Sequence, residues 1–156
     1  MQPGVFRRHH PDVRRTLLVV ALCAALSSAA VVVASAETSA NGLPAYTKGY
    51  LGWQKLNRKP ITGGSAAHSG TKNVYASKRK AGRRYPNGAV IVKTIARPGD
   101  AKARPSQVAV MRKLNGRWRF VEYELSGSRY TVLAQGRLCV ACHVQAKSSD
   151  YVFTKR

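Results

Sequence analysis

Carboxylates are scarce in this chain. Six Asp and Glu stand against 27 Lys and Arg in 156 residues, a formal net charge of +21, so chemistry that needs a positioned carboxylate has few residues to draw on. Cysteine and histidine are scarce too, at three and four. Cys23, His9 and His10 fall in an N-terminal segment that reads as a leader, and beyond it only His68, Cys139, Cys142 and His143 remain. A zinc site would need four ligands, so it would have to use every one of them. Repeats and low-complexity stretches are also missing, and this favours one ordinary domain.

The leader is legible as an export signal over residues 1–36. Arg7, Arg8, Arg14 and Arg15 form a basic region, Leu17 to Val33 an apolar run, and Ala34-Ser35-Ala36 a small-residue cleavage site. A retained membrane anchor is the competing reading, because the apolar run approaches the length of a short span. The small-residue site favours cleavage, which discards Cys23. Leu22 before it is too bulky for a lipoprotein site. Arg14-Arg15 hints at a twin-arginine signal, a reading discounted for a chain that acquires its cofactor after crossing the membrane unfolded. The expected product is residues 37–156, one modest domain exported to the periplasm or beyond.

What the chain does have is Cys139-Val140-Ala141-Cys142-His143. Cys-x-x-Cys-His is the attachment spacing of a c-type haem: two thiols reach the two vinyl groups on one porphyrin edge, and the histidine falls beneath the iron. Cys139 and Cys142 are then thioether anchors, and His143 is the axial ligand of one covalent haem c. A redox dithiol and half a zinc site are the alternatives. The dithiol is disfavoured because such pairs sit early, between a strand and a helix.

Without the leader, 23 basic residues face 5 acidic ones, a formal +18. An exported haem protein does not meet a genome, so the charge points to an acidic redox partner or an anionic membrane surface and not to nucleic acid. Lys78, Arg79, Lys80, Arg83 and Arg84 are the densest cluster and the candidate docking patch. Its competitor is a merely solvated face.

The segment order predicts a mainly antiparallel α+β fold, a single sheet with an N-terminal helix and the haem motif last. Leu43, Tyr46, Tyr50 and Trp53 recur at helical spacing behind Pro44. Arg58 to Gly70 reads as loop. Four strands are expected at Asn73–Ala76, Ala89–Ile95, Gln107–Lys113 and Trp118–Leu125, with Tyr85-Pro86-Asn87-Gly88 and Leu114-Asn115-Gly116 as turns. Asp150 to Thr154 reads as a short extended tail.

This order resembles the cytochrome P-460 family, including its mono-haem c′-beta members. The carriers are Asn73-Val74-Tyr75, Tyr85 to Lys93, Val110-Met111-Arg112-Lys113 before Trp118-Arg119-Phe120, the Cys139–His143 motif, and Asp150-Tyr151-Val152-Phe153-Thr154. The resemblance implies a sheet holding the haem, and it extends to this chain the homodimers common in the family. It also implies that Lys93 stands near the haem, where the corresponding lysine of hydroxylamine-oxidising members can bond a meso carbon. On the residues alone, Lys93 interrupts an apolar strand and is either an edge guard or a desolvated nucleophile.

Hydroxylamine oxidation also needs a base. The resemblance places a carboxylate on the strand Gln107–Lys113, near Ala109, where this chain has no Asp or Glu. The expectation is therefore an open distal site that binds nitric oxide or similar diatomics. Hydroxylamine oxidation by a lysine-linked haem and simple electron transfer are the alternatives. Tyr85, Gln107, Ala109 and Met111 are the distal-pocket candidates. Met111 and His68 are the candidate sixth ligands for electron transfer, Met111 reading more readily as core and His68 as solvent-facing.

Overall fold

The computed structural model describes residues 38–63, 68–98 and 104–154. The leader and Cys23 lie outside them. Six strands form one antiparallel sheet in chain order: β1 Gln54–Lys55, β2 Thr71–Ala76, β3 Val90–Ala96, β4 Gln107–Leu114, β5 Arg117–Ser126 and β6 Arg129–Gln135. The helix α1, Arg137–His143, follows β6 directly and carries the Cys-x-x-Cys-His motif.

Turn chemistry sets the meander. Asn115 and Gly116 have φ of 49° and 75° and join β4 to β5 as a two-residue loop, the left-handed pair that matches strand twist. Gly127-Ser128 joins β5 to β6, with Ser126 paired to Arg129. The turn at Pro86–Gly88 is locked to the first hairpin: Gly116 N–H donates to the Asn87 side-chain oxygen at 2.7 Å, and Gly88 N–H to the Lys113 carbonyl at 2.8 Å.

Alternation divides the core between the two faces of the sheet. Val90, Val92, Val108, Val110, Tyr123 and Tyr130 fill one face with Leu43, and Tyr46, Tyr50 and Trp53 pack over them. The aromatic stripe thus shares a face as expected. Its backbone forms two short 3-10 turns, Ala45–Thr47 and Tyr50–Gly52, and not a continuous helix. Gly49, at φ 75°, is the reason for the break. Val74, Ile91, Met111, Trp118 and Phe120 form the core of the other face, and β3, apolar towards both, is the third of six strands. A central position removes the edge-guard reading of Lys93.

The C-terminal segment is not an extended tail. After α1 the chain makes a 3-10 stretch, Val144–Ser149, then turns through Asp150 and Tyr151 at φ 57° and 65°. That left-handed turn returns Val152 to the core. Gly70 has a different local constraint: at φ 123°, a Cβ there would meet the Ala96 carbonyl oxygen at 2.2 Å. We expect Gly70→Ala to cost about 1–3 kcal/mol, read as a lowered denaturation midpoint; an unchanged midpoint would refute this packing of the loop on β3.

Candidate haem site

Register brings the site together. Across the sheet, Val74 pairs with Lys93, Lys93 with Ala109, and Ala109 with Glu122. One row on one face therefore carries a lysine and a carboxylate with a small alanine between them. α1 closes over the same face and supplies Cys139 and His143. A cavity of about 580 Å³ lies between, bordered by Lys93, Glu122, Cys139, Cys142 and His143, with His68 on its wall. A volume of that size falls in the usual range of cofactor sites, roughly 300–1,000 Å³, and both thiols and the histidine open onto it. The donor set and the space fit a haem.

His143 is buried and oriented. Its Nδ1 donates to the Tyr151 carbonyl at 2.7 Å, which places the proton there and leaves Nε2 its lone pair. Phe120 and Phe153 flank the ring, centroids 4.8 and 5.3 Å away. Burial holds its pKa below the ordinary value, with Lys93 and His68 adding to the effect against the Tyr151 bond. A neutral imidazole is the form that binds a metal. The Cys139 thiol is pushed up by burial and then by Glu122, opposite to the activated thiol of a redox dithiol.

Lys93 is pulled down to about 8, first by burial, then by the neighbouring Lys72, with Glu122 opposing. A lysine that gives up its proton more readily is a better nucleophile. Its Nζ lies 5.8 Å from the Phe153 ring centre.

Two residues are placed differently from expectation. Glu122 enters the cavity from β5, directly opposite Ala109, so the missing carboxylate of β4 is supplied one strand away. The signal was available: Trp118, Phe120 and Glu122 alternate onto one face. His68 is not solvent-facing; its side chain is 22% exposed, and its Nδ1 lies 3.2 Å from Glu122 Oε1. Lys72 fixes the backbone beneath it, donating to the carbonyls of Gly63, His68 and Gly70.

The distal candidates separate. Ala109 and Met111 line a small recess beside the cavity, and Met111 belongs to the core. Tyr85 is core as well, edge-on to Trp118 at 5.9 Å, and does not border the cavity or the recess. Gln107 does not border the cavity or the recess. Lys78, Arg79, Lys80, Arg83 and Arg84 are all exposed.

A family model for cytochrome P460 matches residues 47–154. No curated protein and no solved structure matches the chain.

Proposed function

The chain belongs to the cytochrome P460 family, and from that premise we propose that it is an exported mono-haem c-type cytochrome that binds nitric oxide or a similar diatomic. Membership makes it a haem cytochrome. The observation that carries the finer reading is His143: buried, pinned through Nδ1, and facing the cavity that Cys139 and Cys142 also border. Bound there, the haem would supply an iron able to take small ligands and exchange electrons. Cys139 and Cys142 would anchor it and His143 would ligate, and the recess that Ala109 and Met111 line with Lys93 and Glu122 is small enough to suit a diatomic.

A second reading, hydroxylamine oxidation, is favoured by one observation: Lys93 and Glu122 border the same cavity. The exposed basic cluster from Lys78 to Arg84 suits an acidic redox partner, met in the periplasm or wherever else an exported chain is delivered.

The test uses protein made in a host with haem-attachment machinery. One haem per chain should survive denaturation and acid extraction. Nitric oxide added without air to the reduced protein should shift the Soret band to an endpoint at one equivalent. Extractable haem would end the covalent assignment, and an unmoved band at excess nitric oxide would end the gas-binding one.

A further inference from the structure

We propose that the outer face of α1, together with the basic cluster beside it, is the docking surface for a redox protein that presents an acidic rim around an apolar centre. The inference rests on the reading above that the chain meets an acidic redox partner. It adds where that partner sits and what else its surface must carry.

The helix α1 has two sides. Leu138, Cys139, Cys142 and His143 border the cavity, whereas Val140, Ala141 and Val144 do not. Val144 N–H donates to the Val140 carbonyl, so the two valines stand one helical turn apart on one face, and Ala141 adjoins both at helical spacing. Val140 is 41% and Val144 48% exposed. Single exposed valines are ordinary on any surface. These two form a stripe with Ala141 on the helix that carries both thiols, and only the helix backbone separates a partner on the stripe from Cys139 and Cys142.

The stripe is rimmed by charge of one sign. Lys80 ties the basic cluster to the same segment: its Nζ donates to the Ser149 carbonyl at 3.2 Å and lies 5.2 Å from the centre of the Tyr85 ring. Ser149 ends the 3-10 stretch that Val144 begins. At a rise of about 2 Å per residue, the Lys80 ammonium is therefore within roughly 15 Å of Val144. Arg137 and Lys147 are exposed three residues before Val140 and three after Val144. Neither 77–88 nor 136–149 contains an Asp or Glu. Glu122 faces the cavity and Asp150 is buried against Lys113, which leaves Glu124, on β5, as the exposed carboxylate among the described residues.

A protein fits this surface better than a membrane does. Valine and alanine are too short to enter the bilayer boundary, where amphipathic helices use Trp, Phe and Leu. An apolar centre inside a charged rim is the ordinary build of a protein interface. The rim speeds the encounter at low salt, and the stripe supplies contact that salt does not screen.

The experiment uses the ferrous holoprotein and an acidic blue-copper protein as probe. The probe is isotope-labelled and in its copper(I) form, so that no electron moves, and binding is read from the shifts of its amide signals. The unaltered chain should bind it at low salt. Arg83→Glu combined with Arg84→Glu should weaken binding about tenfold or more at low salt and much less at about 0.15 M salt. Val144→Asn, which changes no charge, should weaken it about fivefold at both. Oxidation of the ferrous protein by the copper(II) form passes one electron from iron to copper, and it should slow in both variants as binding weakens. The altered residues lie outside the cavity, so both variants should keep covalent haem and the one-equivalent nitric oxide endpoint. Extractable haem in the unaltered protein would end the cytochrome reading, a result recorded before any probe is added and distinct from those of docking. Failure of the unaltered holoprotein to bind, binding that either variant leaves unchanged, or an electron rate that does not follow binding overturns the proposal. Sedimentation with phosphatidylglycerol vesicles at about 0.15 M salt, abolished by Val144→Asn, would give the stripe to a lipid surface and overturn it too.

Discussion

Asp150→Ala should destabilise the protein by about 3–5 kcal/mol, the usual cost of breaking a buried ion pair from one side. Asp150 and Lys113 are each 7% exposed, with Nζ and Oδ2 2.8 Å apart. The same oxygen accepts the Tyr85 backbone N–H at 2.8 Å. The Trp118 indole N–H lies near enough to help depress the carboxyl's pKa but makes no hydrogen bond of good geometry. Removing the carboxylate strands the Lys113 ammonium and the Tyr85 N–H together. It also puts alanine at φ 57°, where aspartate is better tolerated.

Asp150→Asn separates these effects: it keeps an acceptor and tolerates the left-handed turn, so its loss should be smaller, and the difference reports the charge. Guanidinium unfolding followed by circular dichroism measures both. Burial raises the Asp150 pKa, but the bonds from Lys113 and Tyr85 outweigh it and the net direction is down. A carboxyl depressed in the folded state stabilises above its unfolded value, about 3.9, and the contribution is lost as pH falls through the folded pKa. The stability gap between the unaltered protein and Asp150→Asn should therefore be full at pH 6 and close at strongly acidic pH. Losses within about 0.5 kcal/mol for Asp150→Ala would show that the pair does not hold the turn.

The same turn reaches the site. Asp150 pins the segment whose next residue offers its carbonyl to His143 Nδ1. A loosened turn frees the ring that must ligate, so Asp150→Ala should also broaden the haem spectrum of whatever folds.

Much of this architecture was legible because its signals are local. The Cys139–His143 spacing, the Asn115-Gly116 hairpin and the two-faced apolar run of β3 each need only a few residues of context. β6 was missed although Gly127-Ser128 is a hairpin signal, because Val132 and Leu133 are exposed at the sheet edge and give no one-sided alternation to read. The 150–154 segment was misread because its left-handed residues are held by Lys113 and Tyr85, 37 and 65 positions away. Glu122 and His68 belong to that second kind. Strand register alone sets a β5 carboxylate beside Ala109, and a lysine's grip on three carbonyls sets a loop histidine against it.

Register also reverses the natural test of hydroxylamine chemistry. Placing a glutamate at position 109 would set two carboxylates on paired positions of β4 and β5, where like charges destabilise and one of them is driven to hold its proton. Ala109→Glu should thus lower stability and leave hydroxylamine-dependent reduction of an acceptor dye no faster. Glu122 is the carboxylate to remove, because among the described residues it is the one that borders the cavity. Glu122→Gln keeps the shape and abolishes the base, so any turnover of the unaltered holoprotein should fall about a hundredfold or more, while the nitric oxide endpoint of one equivalent is kept. Lys93→Ala separates the remaining parts: loss of turnover with Glu122 intact would mean that the lysine's contact with the macrocycle is needed as well. Turnover that survives Glu122→Gln undiminished would remove the carboxylate from the chemistry.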